Sequence, residues 1–199
     1  MYFMILYVLI FKYSYIGIIQ HWIFVSKTYE LFDADYYDSQ TSDKSRYTVQ
    51  TGGATISYSS DGVTITGTQA IDTLVKNTAL TLPTNYVASV KLMNFNGDGT
   101  TKNYGGVCFD NLLIDFQSNK INYYKLSPLT SLGNTTYTLQ QGDVLKVEMN
   151  NGTMKVYVNN VLKTTQTIAN TGVYQHRTYK MGSNAGRFIT AKDLIVKSL

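Results

Sequence analysis

The sequence predicts an all-β protein, a two-sheet antiparallel sandwich of the jelly-roll type preceded by an apolar N-terminal segment. From Lys27 onward, short alternating runs recur about every ten residues with turn-forming residues between them. No stretch shows a helical period long enough to indicate a helix, so the crossovers that a parallel sheet needs are not expected. The 17 Tyr, 15 Gly and 15% charged residues are typical of a β scaffold with an uncharged, hydrogen-bonding surface.

Residues 1–26 differ from the rest of the chain because they are apolar and aromatic almost throughout. A run of about 25 residues is long enough to cross a bilayer as a helix. A cleaved signal peptide would place a positive region before the apolar run and small residues at its end, and neither is evident near Val25-Ser26. A membrane anchor, a signal-like segment and a misannotated start all stay open. The expected division is residues 1–26 and a single domain over residues 27–199.

The strands are predicted from the alternation of apolar and polar residues. In "VEMNNGTMKVYVNNVLKTTQT", the pairs Asn151-Gly152 and Asn159-Asn160 suit tight hairpin turns, which need positive φ. Between these turns Met154, Val156 and Val158 alternate with polar residues, as they do in a strand with one buried face. The predicted strands are Glu30–Phe32, Arg46–Val49, Ala54–Tyr58, Val63–Thr66, Asp72–Val75, Tyr86–Met93, Tyr104–Asp110, Leu112–Gln117, Ile121–Leu126, Asp143–Met149, Met154–Val158, Val161–Thr167, Thr178–Met181, Phe188–Ile189 and Leu194–Lys197.

The charge pattern argues against nucleic acid as a partner. The net charge is +4, and the 17 basic residues are scattered singly instead of clustered as phosphate contacts require. The single cysteine, Cys108, cannot form an internal disulfide, and its place in "GGVCFD" predicts a small buried side chain in a strand. His21 and His176 lie too far apart in sequence to suggest a zinc site.

One acidic run, Asp33, Asp35 and Asp38, could supply oxygen ligands to a structural calcium ion. The run lacks the following glycine and the distal bidentate glutamate of a calcium loop, so an exposed acidic loop is the favoured interpretation. No other cofactor is expected.

Several segments together resemble the concanavalin A-like lectin/glucanase jelly rolls, a superfamily that includes laminin-G-like and bacterial surface domains. The order "GGATISYSSDGVTITGT", "NYVASVKL", "GGVCFD", "DVLKVEMNNGTMKVYVNNVL" and "ITAKDLIVKSL" is similar to the order of elements in that superfamily, over about Tyr29 to Leu199. The "KVYVNN" hairpin is the most specific piece, with Asn160 where the family usually has glycine. The resemblance implies a fold and does not single out one activity.

The carboxylates do not predict an enzyme. The hydrolytic branch of the superfamily uses a Glu-x-Asp-x-Glu strand, which sets a nucleophile and an acid/base on one face. That motif is absent, and the only glutamates are Glu30 and Glu148. Asp110 and Asp115 are five residues apart, which places them on opposite faces of a continuous strand unless a turn intervenes at Asn111. Glycoside hydrolysis is therefore the least favoured function.

The late segment "GVYQHRTYKMGSNAGRF" and the run "KINYYKL" hold the candidate ligand-binding residues. Both combine aromatic plates with hydrogen-bonding groups, although tyrosines can simply cover a sheet. Tyr123 and Tyr124 point to opposite faces, so at most one of them is exposed. The predicted ligand-binding residues are Tyr124, Tyr174, His176, Arg177, Tyr179 and Asn184.

The sequence thus predicts a non-catalytic, lectin-like module that binds a polysaccharide or glycoconjugate in cell-surface or virion adhesion. The expected location is extracellular, at a cell surface or on a virion, with membrane association if the apolar segment is an anchor. The alternative is a structural or assembly module of a viral tail or larger surface protein. A large exposed apolar patch would favour assembly, and a groove lined with Tyr, Asn and Asp would favour sugar.

Overall fold

The structure is a computed structural model that describes residues 34–42, 46–96, 103–180 and 186–199. Within these ranges every regular element is a β-strand, and no helix long and apolar enough to span a membrane occurs there. The compact unit begins at Asp35. The expected boundary after residue 26, the apolar segment and the predicted strand Glu30–Phe32 lie outside the described residues and stay predictions.

Fifteen strands follow one another along the described chain. They are β1 (Tyr36–Asp38), β2 (Tyr47–Thr51), β3 (Ala54–Ser59), β4 (Gly62–Gly67), β5 (Thr73–Asn77), β6 (Tyr86–Asn96), β7 (Asn103–Phe109), β8 (Leu112–Gln117), β9 (Lys120–Lys125), β10 (Thr130–Thr136), β11 (Asp143–Asn150), β12 (Thr153–Val158), β13 (Val161–Thr167), β14 (Tyr174–Thr178) and β15 (Phe188–Ser198).

These strands form two antiparallel sheets, as the sequence predicts for a sandwich. The eight-stranded sheet has the order β13-β12-β11-β6-β15-β4-β3, with β1 paired to the second half of β15. The seven-stranded sheet has the order β10-β9-β8-β7-β14-β5-β2. Non-sequential neighbours such as β7 and β14 mean that each sheet is assembled from distant parts of the chain. The all-β jelly-roll prediction is confirmed.

The alternating meander at β11 to β13 is formed as predicted. Leu145, Val147 and Met149 of β11 are fully buried, and so are the apolar residues of β12 that face them. Both hairpin turns have positive φ, with 49° at Asn151 and 50° at Asn159. The pairs Asn151-Gly152 and Asn159-Asn160 therefore form the tight hairpin turns that the sequence predicts.

Other strand predictions were wrong in position or incomplete. The strand predicted at Thr178–Met181 lies earlier, at β14. Its alternation is hard to detect in the sequence because the buried residues include Tyr174 and His176, which carry polar groups. The two short strands predicted near the C-terminus are one strand, β15, with bulges in its pairing to β6. Strands β1 and β10 were not predicted, because neither has an apolar alternation of its own.

The core lies between the inner faces of the two sheets and is rich in aromatic residues. Tyr86, Tyr123, Tyr174, Phe109 and Phe116 are its largest fully buried side chains. Burial of such rings supplies much of the apolar area that stabilises a sandwich. Cys108 is also fully buried, as predicted, and burial raises the pKa of its thiol well above the ordinary value.

Side chains join the edges of the two sheets along one side of the sandwich. Thr135 Oγ1 of β10 donates to the Lys163 carbonyl of β13 at 3.1 Å. Gln166 Nε2 of β13 donates in the other direction to the Leu132 carbonyl of β10 at 3.4 Å. We call these two bonds the β10–β13 seam. The seam uses backbone carbonyls on the edge strands of both sheets.

Candidate functional site

A row of mainly polar residues crosses the outer face of the seven-stranded sheet. Strand alternation sets this face, because the neighbours Val107, Ile114, Ile121 and Val75 all belong to the core. The pairing registers of six strands bring one residue from each strand into line. This polar row consists of Asn134, Asn122, Asp115, Gly106, Arg177 and Leu74.

Asp115 lies near the middle of the polar row and is almost removed from water. It is only 4% exposed, although Ile114 and Phe116 on either side of it face the core. Burial raises the pKa of the Asp115 carboxyl to about 6, against the opposing effects of Arg177, Asn103 and other polar neighbours. A buried acid whose pKa lies near neutrality is a common mark of a functional site.

Asn103 and a glycine pair fix the surroundings of this carboxyl. Asn103 Nδ2 donates to Asp115 Oδ2 at 3.0 Å, and Asn103 Oδ1 accepts from the Gly105 backbone N–H at 2.9 Å. Gly105 has φ of +92°, which side chains rarely adopt. A Cβ at Gly106 would lie 2.8 Å from Leu113 Cδ1. The "GG" of the sequence is therefore required where β7 bulges to place Asn103 beside Asp115.

Arg177 supplies a positive charge on the same face. Its guanidinium forms an ion pair with Asp72 at the start of β5, and the Arg177 side chain is 19% exposed against 54% for Asp72. Asn122, on the other side of Asp115, is 6% exposed, and its Nδ2 has no hydrogen-bond partner among the described residues. The row thus combines a buried carboxyl, a guanidinium and an unpartnered amide.

Two of the predicted ligand-binding residues lie on the inner face. Tyr174 is fully buried and His176 is 2% exposed. The Tyr174 hydroxyl and His176 Nε2 are 3.2 Å apart, and the Tyr47 ring packs edge-on against the imidazole. Burial lowers the pKa of His176 to about 3, so this side chain is neutral at physiological pH. Both side chains are part of the sandwich interior.

The other predicted residues are separated across the outer side. Tyr124 and Arg177 share the outer face, but three strand spacings of about 4.8 Å separate β9 from β14, or about 14 Å. The Tyr179 ring lies 4.8 Å from the Arg187 guanidinium, in cation–π geometry. Asn184 lies outside the described residues, and its role stays a prediction.

The acidic run, for which an exposed loop was the favoured interpretation and calcium the alternative, is partly engaged in other contacts, and Asp38 is buried at the end of β1. Asp38 forms an ion pair with Arg46 at 2.6 Å and accepts from the Gln40 backbone N–H at 2.9 Å. Asp35 accepts from the Ser198 backbone N–H, while Asp33 lies outside the described residues. Within the described ranges, no group of three acidic, histidine or cysteine side chains is arranged to hold a metal ion. Calcium binding by this run stays a prediction.

Asp110 and Asp115 do not form a catalytic pair. Asp110 lies in the turn between β7 and β8, where it accepts hydrogen bonds from the Tyr86 hydroxyl and from two backbone N–H groups at Thr171 and Gly172. The turn at Asp110 and Asn111 does intervene, and three further residues of extended strand, about 10 Å, lead from Leu112 to Asp115. Paired glycosidase carboxyls are about 5 to 9.5 Å apart.

A separate hollow of about 340 Å³ lies on the eight-stranded sheet. It is lined by Glu148, Asn150, Asn151, Thr153, Lys155 and Leu199. Glu148 already accepts from the Tyr157 hydroxyl at 2.8 Å and pairs with Lys146 at 3.0 Å. None of the predicted ligand-binding residues lines this hollow, which makes it the weaker candidate.

The sequence did not identify the polar row as a site. The sequence points to Asp115 only as a possible partner for Asp110, and it does not single out Asn103 or Asn122. The usable signal was an aspartate between apolar residues in "LLIDFQ", because an acid within a buried strand needs a special reason.

Comparison with known proteins identifies relatives in fold only. No family model matches the chain, and no curated protein matches it. Among solved structures, a Bacillus subtilis protein of unknown function with a galectin-like fold is 9% identical with a TM-score of 0.63, over 83% of this chain and 96% of its own. The carbohydrate-binding module CBM66 of Bacillus subtilis is 12% identical with a TM-score of 0.55, over 77% and 96%.

An enzyme also shares the fold. The Crh5 transglycosylase, in complex with NAG, is 11% identical with a TM-score of 0.60, over 82% of this chain and 83% of its own. These likenesses show that the chain shares the two-sheet β-sandwich fold of these proteins. At such low identity they show the fold alone.

Proposed function

We propose that this protein is a non-catalytic, lectin-like module that binds a polysaccharide or glycoconjugate on the outer face of its seven-stranded sheet. The observation that carries the proposal is the polar row, with Asp115 buried at its centre. Sugar hydroxyls both donate and accept hydrogen bonds, so a sugar site needs fixed groups of both kinds. Asp115 accepts, Arg177 donates, and Asn122 has a donor not used by the protein.

The cost of burying Asp115 supports a role in binding. A carboxyl held away from water opposes folding unless its hydrogen bonds and ion pairs offset that cost. The Asn103 side chain bonds directly to this carboxyl, and Asn122 and Arg177 also lower its pKa, but burial outweighs all three. Natural proteins retain such unfavourable groups chiefly at sites that act on or bind something.

The fold neighbours are consistent with this proposal and leave the ligand open. One is a carbohydrate-binding module and another is a transglycosylase in complex with NAG. Adhesion at a cell surface or on a virion, and an extracellular location, are the finer parts of the proposal. Binding of the full chain to intact cells and isolated envelopes would test them, and a lack of binding would remove the adhesion role.

A glycan array with the full chain tests the site itself. We expect specific binding that Arg177→Ala or Asp115→Ala weakens by at least about tenfold, because each removes a charged hydrogen bond. Lys155→Ala is the matched control, since it removes a charge from the hollow on the other sheet. Binding lost in the Lys155 variant and retained in the Arg177 variant would move the site to that hollow.

The proposal is for binding without catalysis because neither Asp110 nor Asp72, the described aspartates nearest to Asp115 along the chain or across the sheet, lies at the distance that catalysis needs. Asp110 is engaged in the β7–β8 turn, and Asp72 lies three strands away, at about 14 Å. Incubation of the full chain with each bound glycan should release no product. Product formation that Asp115→Asn abolishes would make the protein a glycosidase or transglycosidase.

A second function, assembly within a larger structure, has one observation in its favour. Val161 and Leu162 begin the edge strand β13 and are 57% and 51% exposed. Two adjacent exposed apolar residues at a sheet edge could contact another protein. Self-association measured by sedimentation, lost in Leu162→Ser and unchanged in Arg177→Ala, would favour assembly. A monomer at all concentrations would argue against self-assembly.

A further inference from the structure

Unpartnered polar atoms gather at one place inside the sandwich. Five buried side-chain atoms lack a hydrogen-bond partner among the described residues, and four of them belong to Gln40, Tyr47 and His176. They are both amide atoms of Gln40, the Tyr47 hydroxyl and His176 Nδ1. Each of these residues is more than nine-tenths buried.

The contacts between these residues show that they form one cluster. The Tyr47 and His176 rings are 5.7 Å apart, and the Tyr174 and His176 rings are 5.4 Å apart. The Tyr174 hydroxyl is 3.2 Å from His176 Nε2, and the Gln40 side chain lies close enough to this hydroxyl to lower its pKa by hydrogen bonding. Gln40 follows β1 of the eight-stranded sheet, whereas Tyr47 and His176 belong to β2 and β14 of the other sheet.

The protein groups around the cluster do not supply hydrogen-bond partners for its unpartnered atoms. The Gln40 side chain acts on the pKa of Tyr174 and the Asn77 side chain on that of Tyr47, but neither contact reaches ordinary hydrogen-bond geometry. Turning the imidazole over would give up the Tyr174 contact that His176 Nε2 makes. Buried polar groups in native proteins are nearly always paired, with ordered water where the protein offers no partner.

We propose that ordered water occupies this interior site and bridges Gln40 to Tyr47 and His176. A buried water typically makes about three hydrogen bonds and needs two to four polar partners. The cluster offers a donor and an acceptor on Gln40, a hydroxyl that can do either, and a ring nitrogen. The bound water joins the segment after β1 to the seven-stranded sheet, so the two sheets are linked through solvent at this end.

A high-resolution crystal structure of the full chain tests the site directly. We expect water density at about 2.7 to 3.2 Å from at least two of the four atoms. Direct bonds between Gln40, Tyr47 and His176 with no water, or a metal ion or organic group in the site, would overturn the proposal.

Stability of two phenylalanine variants gives an independent test in solution. Tyr47→Phe removes a hydroxyl that we expect to be bonded to water, so the unfolding equilibrium constant should rise about 2- to 12-fold, as for one ordinary hydrogen bond. Tyr86→Phe is the control, because the Tyr86 hydroxyl donates to Asp110 within the protein at 2.8 Å. If Tyr47→Phe lowers the unfolding constant while Tyr86→Phe raises it, the Tyr47 hydroxyl is dry and the proposal fails.

Discussion

The outer faces of the two sheets differ in how far they are buried, as strands β11 and β8 illustrate. In β11 buried residues alternate with partly exposed ones along most of the strand, the pattern of a sheet with one face in the core. In β8 five consecutive residues, Leu112 to Phe116, are buried, so both faces of the seven-stranded sheet lose contact with water there. Both sheets contribute to the core, and the seven-stranded sheet also carries the polar row on its outer face.

The pKa values of one carboxyl on each outer face, Glu148 and Asp115, differ in the same way. Burial raises the pKa of Glu148 on β11, but hydrogen bonds from Lys146 and Tyr157 outweigh it and leave that pKa below its ordinary value. Asp115 on β8 has the opposite balance, and its pKa rises to about 6. The native structure therefore favours the charge on Glu148 and opposes the charge on Asp115.

The largest effects should come from the inner faces, where the two sheets are alike. Leu145 of β11 and Phe116 of β8 are both fully buried. We expect Leu145→Ala to lower the free energy of unfolding by about 2 to 5 kcal/mol and Phe116→Ala by about 3 to 5 kcal/mol. Chemical denaturation measures both. A change below about 1 kcal/mol for either residue would contradict the described core.

Asp115→Asn should act in the opposite direction. The native pKa of about 6 against the ordinary 3.8 means that the charge opposes folding by about 3 kcal/mol at pH 7, at about 1.4 kcal/mol per pKa unit. The variant should be more stable by about that amount at pH 7, and the gain should vanish below about pH 4. Glycan binding should weaken at the same time. A variant less stable than the natural protein at pH 7 would refute the buried charge.

The inner and outer faces of the seven-stranded sheet should also respond oppositely to acid. His176 has a native pKa of about 3 against an ordinary 6.5, so the unfolded chain takes up its proton first and stability falls as pH falls from 6.5. Asp115 gains stability as pH falls from 6 to 4, so the two effects nearly cancel.

Replacing His176 should expose the Asp115 effect. Between pH 6 and pH 4, we expect His176→Gln to gain about 2 kcal/mol of unfolding free energy relative to the natural protein. Asp115→Asn should lose a similar amount over the same interval. Parallel stability curves for all three proteins would contradict the burial of both side chains.

The smallest effect is expected on the outer face of the eight-stranded sheet. Glu148→Gln removes an ion pair whose side chains are 27% and 30% exposed, so the free energy of unfolding should change by less than about 1 kcal/mol. Glycan binding should not change. A loss of glycan binding in this variant would indicate that the binding site is the hollow beside Glu148 instead of the polar row.

The predictable part of the fold was the part encoded locally. The β11–β12 hairpin follows from alternation and an Asn-Gly turn within a single stretch of sequence. Strand β10 forms because β9 offers a partner, and its exposed, polar residues give no pattern of their own. The prediction placed β14 too late in the sequence because Tyr174 and His176 are residue types that often lie at the surface, whereas here they face the core.

The site was less predictable because it is assembled across the sheet. Asn122, Asp115, Gly106 and Arg177 lie on four strands, and only the pairing registers bring them into one row. Arg177 was identified from the hydrogen-bonding capacity of its segment. The importance of Asp115 depends on its burial, which follows from neighbours that are distant in sequence.

The β10–β13 seam affects how the protein should behave when crowded. Edge strands with free backbone groups can recruit strands from other molecules and grow into fibres. In the seam, the Thr135 and Gln166 side chains bond to the Lys163 and Leu132 carbonyls, so each edge strand is held by a side chain from the other sheet. We expect these cross-sheet bonds to make the addition of a strand from another molecule harder on that side of the sandwich.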